Sequence, residues 1–333
     1  ILPEDLIPRE DMVVTVTRAG YIKRNQAELY RAQRRGGKGI KGIKTIEEDI
    51  VRDLYLASTH DAFLFFTNKG KVFWRKVYEI PMAGRTARGK AIVNLLELTE
   101  NEKVAAVLPI KSFDAQDEAC HVVMVTRKGV VKKTDLMHFK RPMRKGKIAL
   151  KIREGDEIIS AVLTCGYNEI LLASRNGMSV KFNEEDVRPM GRTASGVRGI
   201  RLAEDDELVS VVVLSTESSI LVVTENGYGK RSPAEEYPLR RRGGKGVISI
   251  KTSERNGKVI GATQVTDEDE VMLITNSGKI IRMNMQHMRV IGRNTQGVRM
   301  INLNPGEKVV TMDRLPEDSY EGDDEEGDEE ISS

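Results

Sequence analysis

Short apolar runs with almost no polar interruption recur along the chain: Leu64-Phe65-Phe66, Val122-Val123-Met124-Val125, Leu171-Leu172-Ala173 and Ile220-Leu221-Val222-Val223. They are too short for buried helices and rich in β-branched and aromatic residues, which predicts strands covered on both faces. Such runs lead into the pattern Thr/Ser-x-x-Gly. Its six copies are Thr17-Arg18-Ala19-Gly20, Thr67-Asn68-Lys69-Gly70, Thr126-Arg127-Lys128-Gly129, Ser174-Arg175-Asn176-Gly177, Thr224-Glu225-Asn226-Gly227 and Thr275-Asn276-Ser277-Gly278. Pairs such as Asn176-Gly177 tolerate the positive φ of a tight hairpin turn. Further β-rich runs lie at 104–110, 158–164, 208–215 and 259–265, and no sustained helical period separates them.

The spacing is regular. Successive turn glycines are 50, 59, 48, 50 and 51 residues apart. Each is followed by a second glycine (Gly39, Gly89, Gly146, Gly196, Gly246, Gly297) at an offset of 19 residues, or 17 in the third copy. The long second interval predicts an insertion near 111–119. A sheet of about 50 residues cannot cover both its own faces, so neighbouring units must stack. Radial stacking as propeller blades leaves only short, protected edges. Residues 11–16 enter in mid-repeat, and 309–315 are expected to complete that first unit. The expected architecture is therefore all-β, a six-bladed disc closed by the C-terminal strand, with an open solenoid as the alternative.

Charge adds a partner to this picture. The formal net charge is +3, but the segment 317–330 contains ten acids and no base. Without it, 53 bases face 40 acids, or +13. A basic body with an acidic tail predicts a polyanionic partner and a competitor for it. Cys120 and Cys165 stand alone, without zinc spacing, which points to a reducing compartment. No apolar run is long enough for a membrane helix, so no membrane is expected. The chain begins at Ile1 and is expected to be a piece of a longer protein.

The cations cluster between the two glycines of each repeat. The first copy reads Gln33-Arg34-Arg35-Gly36-Gly37-Lys38-Gly39, and the fifth, Arg240-Arg241-Arg242-Gly243-Gly244-Lys245-Gly246, nearly repeats it. The others contribute Arg85, Arg88 and Lys90; Arg141, Arg144, Lys145 and Lys147; Arg192, Arg198 and Arg201; and Arg293 and Arg299. Glycine lets backbone N–H groups approach a phosphate closely while Arg and Lys neutralise its charge. The segment is no nucleotide P-loop, since it lacks the GxxxxGK[ST] spacing and a following helix. The strand after each turn ends in further bases: Lys23 and Arg24, Arg75 and Lys76, Lys132 and Lys133, Lys181, Lys230 and Arg231, and Arg282. These too are expected on the belt. Following such a rim requires bent duplex DNA, and bending 20–30 bp by 40–90° costs roughly 1–6 kcal/mol, which phosphate contacts can offset. The 16 aromatics lie mostly inside apolar runs, which argues against stacking on single-stranded bases.

Other chemistry is not visible. His60, His121, His138 and His287 have no ligand spacing, Trp74 reads as packing, and paired acids such as Asp205-Asp206-Glu207 read as turn and edge residues. No nucleophile, base and orienting group come together, so no catalytic residue, metal or cofactor is expected here. A protein-scaffolding propeller would instead show a salt-insensitive partner and little affinity for DNA.

The heptad Gln33–Gly39 is identical to the signature known as the gyrase A box, and the whole chain resembles the C-terminal domain of the A subunit of bacterial DNA gyrase. The resemblance implies a six-bladed β-pinwheel over 11–316 whose blades exchange a strand, a linker from a cleavage domain at 1–10, and a disordered tail at 317–333. It implies double-stranded DNA as partner, wrapped so that the full ATP-dependent type II topoisomerase introduces negative supercoils. It further implies the subunit's N-terminal domain and the gyrase B subunit in an A2B2 enzyme. Catalytic tyrosine, ATP site and Mg would lie elsewhere, the isolated domain would be monomeric, and its place would be the bacterial cytoplasm with the nucleoid. Related topoisomerase IV subunits typically have a degenerate box, so the intact heptad argues for gyrase. Within the box, Arg34, Arg35 and Lys38 are expected to contact phosphate, Gln33 to brace the loop, and Gly36, Gly37 and Gly39 to set its path. Alternatively the box latches the first blade to the last.

If the tail competes with DNA for the cations, deleting 317–333 tightens DNA binding at low salt and much less at high salt, where both attractions are screened. Binding titrations at two ionic strengths check this, and equal affinities would refute competition.

Overall fold

The structure is a computed structural model, described here for residues 2–27, 51–84, 86–111, 120–141, 144–215 and 217–315. Six antiparallel sheets follow one another along the chain, and helix is confined, among the described residues, to single turns. Two compact units result. The first contains sheet one, with strands in the order Val51–Ser58, Asp11–Thr17, Tyr21–Gln26 and Lys90–Ala91.

The second unit contains the other five sheets. Sheet two runs Val104–Ile110, Ala62–Thr67, Lys71–Lys76, Lys147–Ile148. Sheet three runs Ile158–Thr164, His121–Thr126, Val130–Asp135, Val197–Arg198. Sheet four runs Leu208–Val213, Glu169–Ser174, Met178–Asn183, Val247–Ile248. Sheet five runs Val259–Val265, Ser219–Thr224, Tyr228–Pro233, Val298–Arg299. Sheet six has three strands among the described residues: Val309–Arg314, Glu270–Thr275 and Ile280–Asn284.

Each of the first five sheets thus consists of a hairpin, a long strand from the same repeat, and a two-residue strand donated by a following repeat. This is the strand exchange of a pinwheel.

The apolar runs are continuous because each hairpin strand serves two cores. Val122 and Met124 join the cluster with Leu64, Phe66 and Trp74 of sheet two, while Val123 and Val125 join Ile170, Leu172 and Phe182 of sheet four. Leu171 and Ala173 pack with Ile220 and Val222, and Leu221 and Val223 with Val271 and Leu273. Successive side chains point to opposite faces and both faces are covered. Trp74 is packing, as its position suggested.

The Thr/Ser-x-x-Gly pattern has one cause. In sheet five the Thr224 hydroxyl accepts the Tyr228 N–H at 3.3 Å, and the Thr224 carbonyl accepts the Gly227 N–H at 3.1 Å. Gly227 sits at φ +83°, where a side chain is strained. The second glycine serves the strand exchange. Gly246 (φ +79°) enters the donated strand so closely that a Cβ would stand 2.1 Å from the Ser179 carbonyl oxygen.

One expectation is corrected. The C-terminal strand Val309–Arg314 pairs with Glu270–Thr275, with Leu273 opposite Met312, and completes the sixth sheet rather than the first. The first hairpin is completed by its own repeat, through Val51–Ser58, with Val14 opposite Tyr55. That strand carries Arg52 and Asp53 at its start, whereas its equivalents open on apolar pairs such as Ile158-Ile159, Leu208-Val209 and Val259-Ile260, so its pattern concealed it. The expected linker at 1–10 contains a 3-10 turn at Pro3–Leu6 and touches sheet one, where the Glu10 carbonyl accepts the Thr59 N–H at 3.0 Å. The segment 112–119 and the tail lie outside the described residues.

Two glycines of like φ separate the two costs. At Gly306 (φ +78°) a Cβ would have nothing within 4 Å, whereas at Gly246 it would meet backbone. Gly306→Ala is expected to cost about 1–2 kcal/mol from backbone strain alone. Gly246→Ala should cost at least twice that. Denaturant unfolding of both variants checks the order.

Candidate nucleic-acid interface

The candidate surface is the set of loops that lead each repeat into its donated strand. In repeats four to six the loop first runs beside the preceding sheet: Met190 N–H donates to the Lys133 carbonyl (2.7 Å), Arg240 to Lys181 (2.9 Å) and Ile291 to Arg231 (2.7 Å). Past that point the loop carbonyls lie off any ladder, and cations supply their donors. Lys132 Nζ donates to the carbonyls of Ala149 (2.6 Å) and Arg192 (2.7 Å), and Lys230 Nζ to Thr295 (3.2 Å). In the first unit, Lys23 Nζ reaches Gly84 (3.1 Å) and Ala87 (3.0 Å). Arg24 Nε reaches Ile80 (2.6 Å), Lys133 Nζ Glu184 (2.9 Å), Lys181 Nζ Ala234 (3.0 Å) and Arg231 Nη1 Met285 (3.1 Å).

This corrects the expected belt. Arg75, Lys132, Lys133, Lys181, Lys230 and Arg231 are buried, and they hold loops instead of facing solvent. Lysine and arginine are long enough to bring a charged head to a neighbouring strand, a reach that strand position alone does not reveal.

The inter-glycine cations divide into two groups. Arg192, Arg242 and Arg293, each four residues before the second glycine, are half-buried clamps. Arg192 Nη1 donates to the Ile148 carbonyl at 3.2 Å, Arg242 Nη1 to Arg198 at 3.1 Å, and Arg293 Nη1 to Ile248. All three acceptors are the second residue of the preceding donated strand. The shared register of these arginines was the available signal. Arg88 is also half-buried, its guanidinium carbon 5.1 Å from the Tyr21 ring centroid.

Lys90, Arg141, Arg144, Lys145, Arg198, Arg240, Arg241, Lys245 and Arg299 are exposed. No ion pair joins Arg198, Arg240, Arg241 or Lys245 to a carboxylate among the described residues. Arg85 and the whole heptad Gln33, Arg34, Arg35, Gly36, Gly37, Lys38 and Gly39 lie outside the described residues. The fifth loop, nearly a copy of that heptad, exposes Arg240, Arg241 and Lys245 and turns Arg242 inward.

In the second unit the loops join laterally. Lys151 N–H donates to the Ala194 carbonyl at 3.1 Å, Gly243 to Gly199 at 2.7 Å, Arg201 to Gly244 at 2.8 Å and Lys251 to Thr295 at 2.9 Å. With the arginine clamps, repeats three to six present one hydrogen-bonded row whose exposed side chains include Arg144, Lys145, Arg198, Arg240, Arg241, Lys245 and Arg299, interspersed with apolar residues such as Ile148, Leu239 and Val298. Evenly held charges of one sign suit a polyanion.

The family model of the DNA gyrase C-terminal domain, a β-propeller, matches residues 11–58, 61–111, 121–165, 168–215, 218–266 and 269–316. The chain is 47% identical over 336 residues to the DNA gyrase A subunit of Klebsiella oxytoca, and 52% identical over 327 residues to that of Halalkalibacterium halodurans. These alignments cover 99% and 98% of the chain but only 38% and 39% of the relatives, so the chain spans well under half their length. Among solved structures, it resembles a C-terminal domain of DNA topoisomerase IV (TM-score 0.82, 28% identity, 93% of this chain and 94% of that one). It also resembles a DNA gyrase A C-terminal domain (TM-score 0.70, 26% identity, 92% and 100%).

Burial of the loop-holding lysines has a measurable consequence. Burial, aided by the Arg192 charge, pulls Lys132 down to about 8, and burial with Arg293 nearby does the same to Lys230. Both would titrate near 10.5 unfolded. Between those values the folded chain has released protons that the unfolded chain keeps, so stability rises with pH in that window and is flat below it. Tyr237, pushed up to about 12 by burial, acts in the opposite sense above pH 10. Unfolding free energy should therefore rise from pH 8 to 10, by at most about 1.4 kcal/mol per pH unit per lysine. Lys132→Met should remove its share of that slope, and denaturant titrations across the window check it.

Proposed function

We propose that this chain, which belongs to the family of the DNA gyrase C-terminal domain, binds duplex DNA through its phosphates and bends it along the exposed loop cations. The observation that carries the reading is the laterally bonded row of loops, with Arg198, Arg240, Arg241 and Lys245 outward and, among the described residues, without carboxylate partners. Clamping by Arg192, Arg242 and Arg293 fixes the backbone beneath those charges, so little loop ordering is lost on binding. Contacts of this kind are indifferent to base sequence. Wrapping rather than simple binding follows from repetition, because equivalent cations on successive blades of a propeller-like fold draw the duplex into a curve.

In the complete protein this activity would serve a type II topoisomerase, with strand cleavage and ATP hydrolysis supplied by parts outside this chain. The partners would be gyrase B and the remainder of the gyrase A polypeptide, in an A2B2 enzyme acting on the bacterial chromosome in the cytoplasm. The heptad Gln33–Gly39 belongs to the same reading. Its cations Arg34, Arg35 and Lys38 are the ones offered to phosphate.

Religation of nicked circles in the presence of the chain should shift the linking number, and binding should weaken steeply with salt. Each lost phosphate contact lowers the slope of log K against log salt by about 0.9. Replacing Arg198, Arg240, Arg241 and Lys245 together by Gln should lower it several-fold more than one contact does and abolish the linking shift. An unchanged slope, or no linking shift with the wild-type chain, would refute the wrapping reading.

A further inference from the structure

An arginine pair stands over one buried tyrosine at the hairpin end of the fifth sheet. Tyr228, just after the turn glycine, is 5% exposed. Arg255 comes from the turn before Val259–Val265, and its guanidinium carbon lies 5.3 Å from the Tyr228 ring centroid. Arg299, from the donated strand, lies at 5.5 Å. The Tyr228 hydroxyl accepts from Arg255 Nε at 3.1 Å and from Arg299 Nη2 at 2.9 Å. Those two hydrogen bonds hold the phenol below its ordinary value, as expected beside uncompensated positive charge.

Two like charges held over one ring repel, and no carboxylate pairs with either among the described residues. The guanidiniums are exposed and line a cleft of about 280 Å³ with Asn226 and Asn302. Arg299 Nη1 makes one long contact, 3.4 Å, to Asn302 Oδ1, while both Nη groups of Arg255 have no hydrogen-bond partner among the described residues. A planar guanidinium with free paired donors matches a tetrahedral oxyanion. The cleft lies below the usual range of about 300–1,000 Å³ for organic ligands and suits a small anion. The equivalent strand positions in sheets two, three and four are Lys71, Val130 and Met178, and in sheet one Tyr21 lies under a single guanidinium, Arg88, at 5.1 Å; the pair of guanidiniums on one phenol is found, among the described residues, at Tyr228.

We propose that Arg255, Arg299 and the Tyr228 hydroxyl form a phosphate-binding site, filled by a backbone phosphate of DNA or by a free phosphate. Tyr228 sets the spacing of the guanidiniums, and the anion removes their mutual repulsion. The DNA source rests on the wrapping reading, whereas the free-phosphate source does not.

The test uses the full chain, its Arg255→Gln variant and its Tyr228→Phe variant, with inorganic phosphate followed by 31P line broadening and duplex DNA by the salt dependence of binding. Saturable broadening in the wild type should weaken at least tenfold in Arg255→Gln and clearly in Tyr228→Phe, with melting temperatures confirming that both fold. A DNA salt slope lower by about 0.9 in Arg255→Gln identifies a backbone phosphate, with or without measurable free phosphate binding. Lost broadening with an unchanged slope identifies free phosphate. Saturable broadening in a chain that binds no DNA leaves the site standing and removes the wrapping reading. No saturable broadening together with an unchanged slope overturns the site.

Discussion

Everything in this chain depends on the exchange of a two-residue strand between successive repeats. A four-stranded sheet with apolar side chains on both faces cannot stand alone in water. Within the second unit each sheet is tied to the next by the shared cores and by backbone hydrogen bonds beside the donated strand, as where Ser249 N–H meets the Gly177 carbonyl at 2.7 Å. To reach the preceding sheet, the chain crosses it at backbone distance, which is why Gly246 tolerates no Cβ. Among the described residues, the second glycine of a repeat thus meets the hairpin that the first glycine of the preceding repeat closes, as Gly246 meets Ser179 beside the turn at Gly177.

The exchange creates an electrostatic problem, and its solution orders the cations. A crossing loop leaves carbonyl groups without ladder partners, and unpaired buried acceptors are costly. Lysine and arginine donate to several of them. Lys132 serves two carbonyls at once, and its charge is held by their dipoles instead of by a carboxylate. The burial cost appears as its lowered proton affinity. Cations that the fold consumes in this way are unavailable to a partner. Arg198 and Lys245, which donate to no carbonyl among the described residues, stay in solvent as charge for a polyanion.

That division explains what was legible beforehand. The hairpins, their turns and the long strands were readable, because local pattern decides them: the runs at 104–110, 158–164 and 259–265 are strands with those bounds. The first long strand was not, because Arg52 and Asp53 interrupt Val51–Ser58, and the C-terminal strand was assigned in its place. Cationic loops were recognised as a class, yet a repeat count cannot separate a clamp from a free charge. The difference between Arg241 and Arg242 lies in an acceptor 44 residues away, the Arg198 carbonyl. Likewise Arg255 gave no signal at all, since it lies in a turn and its partner Tyr228 is 27 residues away in a strand.

The third repeat shows that clamping is a requirement rather than an accident of composition. Its inter-glycine offset is two residues shorter, and the residue four places before Gly146 is Pro142, which offers no guanidinium. The preceding sheet supplies one instead: Arg75, one position further along its strand than Lys133 or Lys181, donates from Nη1 to the Arg144 carbonyl at 3.0 Å. Arg144 itself stays exposed. A cation from outside the loop thus restrains it through the loop's own carbonyl, where Arg192, Arg242 and Arg293 restrain theirs through the preceding donated strand, and the outward charge is preserved. Restraint of the backbone and presentation of charge are two demands on the same residue type, and here they are met by different residues in every repeat whose loop is described in the second unit.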